Sequence, residues 1–225
     1  MMIQDQPKPY IVPRCDKEIA ILYQDDDILL INKPDGLLSV PGRHPLNKDS
    51  INNRLLKLFP DMGMAHRLDL DTSGIMIVPL NKPALAHVNK QFQDRVIHKT
   101  YTAVLFGLVA EEEGKIDLPL IFDWPNRPLQ KVCQSSGKGA LTLYKVLQRN
   151  EADNTTRVLF TPITGRSHQL RIHSREMGHP IIGCDMYATR QAYEMGDRLM
   201  LHATEISFTH PATGETICET CKPEF

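Results

Sequence analysis

The sequence predicts an α+β fold, a mixed and largely antiparallel sheet with a few helices packed on it. Three observations carry this. Short apolar stretches of strand type outnumber stretches with helical spacing. Several of the strand-type stretches come in adjacent pairs split by turn residues, as hairpins do. The helical stretches are few, short and bounded by capping or breaking residues.

Taken in order, "MMIQDQPKPYIVPRCDKE" lacks an apolar core stretch, so it does not read as a signal peptide. Its three prolines predict an extended arm over residues 1–18. "EIAILYQDDDILLINKP" reads as two strands joined by an acidic turn, and "GLLSVPGR" as an irregular loop. Asp49-Ser50 can cap a helix whose Ile51, Leu55 and Leu58 share a face, ended by Pro60. "GIMIVPL" is a strand. A helix from about Pro83 to Arg95 follows, with Leu85, Val88 and Phe92 at helical spacing. "KTYTAVLFGLV" is a strand, and "LTLYKVLQ" with "TRVLFTP" a second antiparallel pair turning at Asn154. "SHQLRIHSREMGHP" reads as a short helix stopped by Gly178 and Pro180, and "RLMLHATEISFTHP" as a late strand. The stretch Glu111–Gly139, rich in Pro and Gly, is expected to separate two halves of one sheet.

The 225 residues, 41% hydrophobic, suffice for a substantial core. No apolar run approaches a membrane span. Five scattered cysteines argue for a reducing compartment, and the cytoplasm is the expected location. Cys218-x-x-Cys221 has no second pair to complete a zinc site and reads as incidental. A formal net charge of −1 does not favour nucleic acid, but the distribution does. Trp124–Arg149 and Arg157–Arg175 contain no acid, while the acids gather at Asp25–Asp27 and Glu111–Glu113, which read as solvated turns.

The densest chemistry lies in "HRLDLDTSG", His66–Gly74, where charge runs into the start of an apolar strand. Charges there are costly unless paired. Asp71, beside the turn, reads as an Asx-type turn with Thr72 and Ser73 bonding backbone amides. Asp69 is either a paired structural carboxylate or, held beside an arginine, a nucleophile or base. On the helix that "PITGRSHQLRIH" begins, His168, Arg171 and Arg175 fall on one face, with Leu170 and Met177 on another. With Arg166 and His173 they form a donor set suited to phosphate or carboxylate. Tyr101 is a strand aromatic with its hydroxyl at the rim, or a stacking platform for a base. No His-Glu-x-x-His, Walker loop, dinucleotide fingerprint or Gly-x-Ser-x-Gly is present, and arginines surround the histidines. No metal is therefore expected.

These motifs together resemble the RluA family of pseudouridine synthases. "HRLDLDTSG" is similar to the family signature His-Arg-Leu-Asp-x-x-Thr-Ser-Gly, and "PITGRSHQLRIH" to its second signature. "INKPDGLLSVPG", "KTY" and "LMLHA" match further motifs in the family order, from about Ile21 to Phe208. "LPLIFDWPNRPLQKVC" and "ILYQDDDILLINKP" are closer still to the short member of the family that modifies both large-subunit ribosomal RNA and tRNA.

The resemblance implies the pseudouridine synthase fold with a catalytic cleft, a single catalytic domain over residues 19–225, and no S4 RNA-binding domain. It implies isomerisation of uridine in RNA stem-loops, with no cofactor and no obligatory protein partner, by a monomer. Asp69 matches the catalytic aspartate, which adds to C1′ or takes the C2′ proton. Arg171 matches its arginine partner, Tyr101 the aromatic stacked on the uracil, and Leu201 an apolar wall. Because the target base must be flipped out, Arg67, with His66 beside it, matches the residue that fills the vacated stack. Arg166, His168 and Arg175 complete the expected RNA contacts.

One departure stands out. Where relatives carry Gly-Asp before a Tyr, this chain reads "IIGCDMYA", with Cys184 in place of Asp and Asp185 shifted by one. Two rivals remain open: a non-catalytic RNA-binding module, and a small-molecule hydrolase using Asp69 with Asp71.

Overall fold

A computed structural model describes residues 10–225. Of the expected arm, residues 1–9 lie outside the described residues, and residues 10–19 carry no helix or strand. This segment is tied down by side chains rather than by a ladder. Asn47 accepts from Val12 N and donates to Tyr10 O, Lys17 pairs with Asp35, and Cys15 is buried.

The hairpin β1 (Ala20–Gln24) and β2 (Ile28–Lys33) forms as expected. Helix α1 spans only Ile51–Leu55, with the Ser50 hydroxyl accepting from Asn53 N at its N-cap. It ends before Leu58, which is exposed, so only Ile51 and Leu55 of the expected face are buried. Strand β3 (Ser73–Pro79) pairs antiparallel with β2. All of β3 and most of β2 are buried, which is why both read as unbroken apolar runs rather than alternating ones. One face, Leu29, Ile31, Met76 and Val78, packs on α1. The other, Ile28, Leu30, Ile75 and Ile77, packs on Val88 of α2 (Lys82–Asp94). Helix α2 starts at an Asn81 cap and stops at Arg95 in the left-handed region.

Strand β4 (His98–Phe106) leads to β5 (Glu113–Asp117), then to a separate hairpin of β6 (Leu120–Phe122) and β7 (Gln130–Val132). Strands β8 (Leu141–Asn150) and β9 (Thr155–Pro162) pair around Asn154, whose φ is +52°. Helices α3 (Gln169–Glu176) and α4 (Arg190–Glu194) precede β10 (Leu201–Thr209) and β11 (Thr216–Thr220).

The main sheet runs β1-β2-β3-β10-β4-β9-β8-β5, with β11 also on β10. Only the β3–β10 contact is parallel. The stretch Glu111–Gly139 therefore does not divide the sheet; it supplies the far edge strand and a separate hairpin. The two halves of the chain meet where β10 inserts between β3 and β4. The acidic runs are not simply solvated turns either. Glu112 pairs with Arg149 at 2.5 Å, and Asp25 accepts from buried His210 at 2.8 Å and from the amides of Asp27 and Ile28. The Cys218–Cys221 pair lies on and just beyond β11, with Cys218 exposed. No described helix is long and apolar enough to cross a membrane.

Gly74 sits at the β3–β10 junction with φ +113°, and a Cβ there would meet Ala203 O at 2.3 Å. Backbone strain and a backbone clash combine at this position. Gly74→Ala should lower stability by about 3 kcal/mol. Urea unfolding measures this, and a loss under about 1 kcal/mol would show that the junction yields.

Candidate active site

Asp69 sits in the loop entering β3, and its neighbours in the chain are clamped. The Leu68 amide donates to Ser39 Oγ (3.0 Å), and that hydroxyl donates to Leu68 O (2.7 Å). Lys33 is fully buried on β2 and donates to the carbonyls of Pro34, Leu70 and Thr72 at 2.8–2.9 Å. Three carbonyls match the three protons of an ammonium. Burial draws the Lys33 pKa down to about 7, while Asp71, Asp35 and Asp69 pull it back up. Neither Ser39 nor Lys33 was singled out from sequence chemistry. A lysine ending the apolar run "LLINK" was the available signal for the second.

The loop, β4, β10 and α3 enclose a cavity of about 340 Å³ lined by Asp69, Tyr101, Arg171, Leu201, His168 and Arg166. Arg67 is exposed at its mouth. Tyr101 lines it from β4, where burial first and then Asp69 push the phenol pKa up, so the hydroxyl keeps its proton at neutral pH. Leu201, the first residue of β10, is buried in the wall.

Helix α3 is not a surface helix. Gln169 to Ser174 are all buried, and Leu170 and Ile172 join the core beneath β4 and β9. Arg171 is 2% exposed. Its Nη1 lies 3.9 Å from Asp69 Oδ2, its Nη2 donates to Asp185 Oδ1 at 2.5 Å, and its Nε donates to Cys184 Sγ at 3.3 Å. Cys184 and Asp185, the departure seen in the sequence, thus jointly orient Arg171. His168 Nε2 lies 4.0 Å from the same oxygen. Tyr187 OH accepts from Gln130 N and bonds His168 Nδ1, 2.6 Å away. With the phenol as donor in that bond, the imidazole carries its proton on Nε2, toward Asp69. Burial lowers its pKa, followed in size by the opposing pull of Asp69. Neither contact is a hydrogen bond at these distances, so the carboxylate oxygens stay free for a substrate.

Three of the expected residues also have partners within the fold. His66 lines the cavity, while its Nε2 accepts from Ile77 N at 2.9 Å and its ring packs on Phe92. Arg175 donates to Glu176 and lies over the Tyr187 ring, 5.5 Å away, so it is already partnered. His173 is buried between Thr142 and Leu118 O and is structural. Asp71 is no Asx turn: no backbone amide donates to its side chain, while Ser73 Oγ bonds His202 and accepts from Arg198. Burial raises the Asp71 pKa, with Asp185 adding to it. The basic stretches are also partly neutralised across the fold, by Lys131–Asp123 and Arg149–Glu112.

His66 has a consequence for acid stability. Burial holds its pKa near 3, against 6.5 in an exposed histidine, and holds His202 near 4. Below pH 6.5 the unfolded chain takes up these protons and the folded chain does not. Stability from these groups is complete above pH 6.5 and falls as pH drops toward 4, by about 1.4 kcal/mol per unit for each histidine. Urea unfolding at pH 7 and pH 5 checks this, and equal stabilities would refute it.

A carboxylate in the loop entering a central strand, beside a cavity and flanked by fixed donors, sits on the fold of the pseudouridine synthases. The chain superposes on the human RNA pseudouridylate synthase domain containing 1 with a TM-score of 0.78 at 29% identity, covering 95% of this chain and 86% of that one. The human domain containing 4 gives 0.74 at 26% identity, covering 91% and 89%.

The chain belongs to the RNA pseudouridylate synthase family, whose model matches residues 27–176. It is 52% identical to the dual-specificity RNA pseudouridine synthase RluA of Yersinia pestis, over 92% of this chain and all of that one. The protein of the same name from Escherichia coli K12 is 50% identical, over 88% of this chain and 90% of its own length. As an RNA pseudouridine synthase the protein is an isomerase.

Proposed function

We propose that this protein converts specific uridines of both large-subunit ribosomal RNA and tRNA to pseudouridine, acting in the cytoplasm as a monomer without an obligatory protein partner, cofactor or metal. Residues 19–225 act as a single catalytic domain. The observation that carries the proposal is the convergence of Asp69, Tyr101, Arg171 and Leu201, from four separated segments, on one cavity.

In the reaction the N1–C1′ bond breaks, the detached uracil turns, C5 bonds to C1′, and the C5 proton is replaced by one on N1. The uracil enters the cavity between Tyr101 and Leu201 after flipping from its stem-loop. Asp69 meets the ribose, as a nucleophile at C1′ or a base at C2′. Arg171 and His168 Nε2–H place positive and donor character beside it. Arg67, exposed at the mouth, fills the space the base leaves, and Arg166 contacts the RNA backbone. His66 lines the cavity while supporting β3, and Arg175 lies over the Tyr187 ring that bonds His168.

The test is the purified protein in excess EDTA with a ribosomal RNA fragment, tRNA transcripts and free UMP as separate substrates. Pseudouridine is expected in both RNAs and none from UMP. Activity on one RNA class alone would refute dual specificity. Turnover of UMP would favour the small-molecule rival, and loss of activity restored by zinc would refute metal independence.

A further inference from the structure

Beside the uridine cavity, and sharing Lys99, Phe92, Gly165 and Arg166 with it, is a second hollow of about 340 Å³. Three cations line it, Arg95, Lys99 and Arg166, and no carboxylate does. Lys99 stands two residues before Tyr101 on β4, so both side chains leave the same face of the sheet, about 6.7 Å apart along the strand. Among the described residues its ammonium makes no ion pair or hydrogen bond. It lies 5.6 Å from the centre of the Phe92 ring and faces the bare side of Gly165. The other two cations have no acid either: Arg166 Nε donates to Gly139 O, and Arg95 is exposed at the C-cap of α2. A desolvated ammonium with no counter-charge among the described residues, in a hollow that two arginines also line, is costly unless an anion joins it.

We propose that this hollow holds a backbone phosphate flanking the target uridine, with Lys99 as its central ligand and Arg95 and Arg166 at its rim. The inference rests on the RNA-modifying reading above and adds to it a positioning site for the nucleotide's backbone. The spacing suits it, because a base against Tyr101 leaves its own backbone within reach of a side chain one strand repeat away. Burial depresses the Lys99 pKa, and an arriving phosphate favours its charged form.

The test uses an RNA stem-loop that the wild-type protein binds, with each of the two phosphates flanking the target uridine replaced in turn by a neutral methylphosphonate. Affinity and single-turnover rate are measured for wild type, Lys99→Gln and Arg95→Gln, with thermal unfolding alongside. Lys99→Gln should weaken binding about tenfold, and Arg95→Gln about threefold. The salt slope should fall by about 0.7 for Lys99→Gln. The loss should lie in affinity rather than in the saturated rate. One of the two methylphosphonates should cost wild type about tenfold and cost Lys99→Gln nothing further. Effects that simply add for both phosphates would overturn the proposal. If Lys99→Gln unfolds early, exposed Arg95→Gln carries the same comparison, and additivity there overturns it as well. Failure of wild type to convert an RNA it binds would instead sink the functional reading, and the coupling would still be read from binding alone.

Discussion

Asp69→Asn is expected to reduce pseudouridine formation by at least about a thousandfold while leaving RNA affinity within about threefold. The amide keeps the shape of the side chain and removes the charge and basicity the chemistry needs. The surroundings favour an intact fold. The loop is held by Ser39 on Leu68 and by Lys33 on Leu70 and Thr72, none of which touches the Asp69 side chain. Single-turnover conversion and a binding isotherm on one stem-loop measure both quantities. A variant retaining a tenth of the rate would remove Asp69 from its role. Asp71→Asn is the control. Its carboxyl lies outside the uridine cavity, so its loss should be under about tenfold, and equal loss from both would revive the two-carboxylate rival.

Arg171→Met is expected to lower the single-turnover rate by about a hundredfold with little change in affinity. Methionine follows the aliphatic stem and deletes the guanidinium. Asp69 then loses its fixed cation, and Asp185 and Cys184 lose their shared donor. Stability should fall by about 2 kcal/mol, less than the roughly 3–5 kcal/mol for a fully buried pair, because Asp185 is half-exposed and can be hydrated. Asp185→Asn keeps an acceptor for Nη2 and should retain most of the rate. A variant Arg171→Met that lost only affinity would show that the guanidinium binds RNA and does not serve Asp69.

The elements visible in the sequence are those whose burial leaves a local period. Strand β9 alternates because only one face meets the core, β3 is apolar throughout because helices cover both faces, and α2 carries its own cap and stop. Strand β11, the β6–β7 hairpin and α4 were missed. They are only three to five residues long, too short for a local period to mark them.

The candidate site divides in the same way. The chain by itself marked the candidate residues, because Asp69, Tyr101 and Arg171 each stand in a motif that resembles one of the pseudouridine synthases, while their residue types alone left structural roles open. Only the tertiary structure decided which charges are free. Arg175, Arg149 and Lys131 stand in stretches without acids, yet neighbouring or distant carboxylates partner them. His66, inside the signature, spends its ring on the Ile77 amide. Lys99, unremarkable in the chain, has no ion-pair or hydrogen-bond partner among the described residues. Coulomb and hydrogen-bond energies depend on distances of a few ångströms, and those are set by which strands lie side by side rather than by position along the chain.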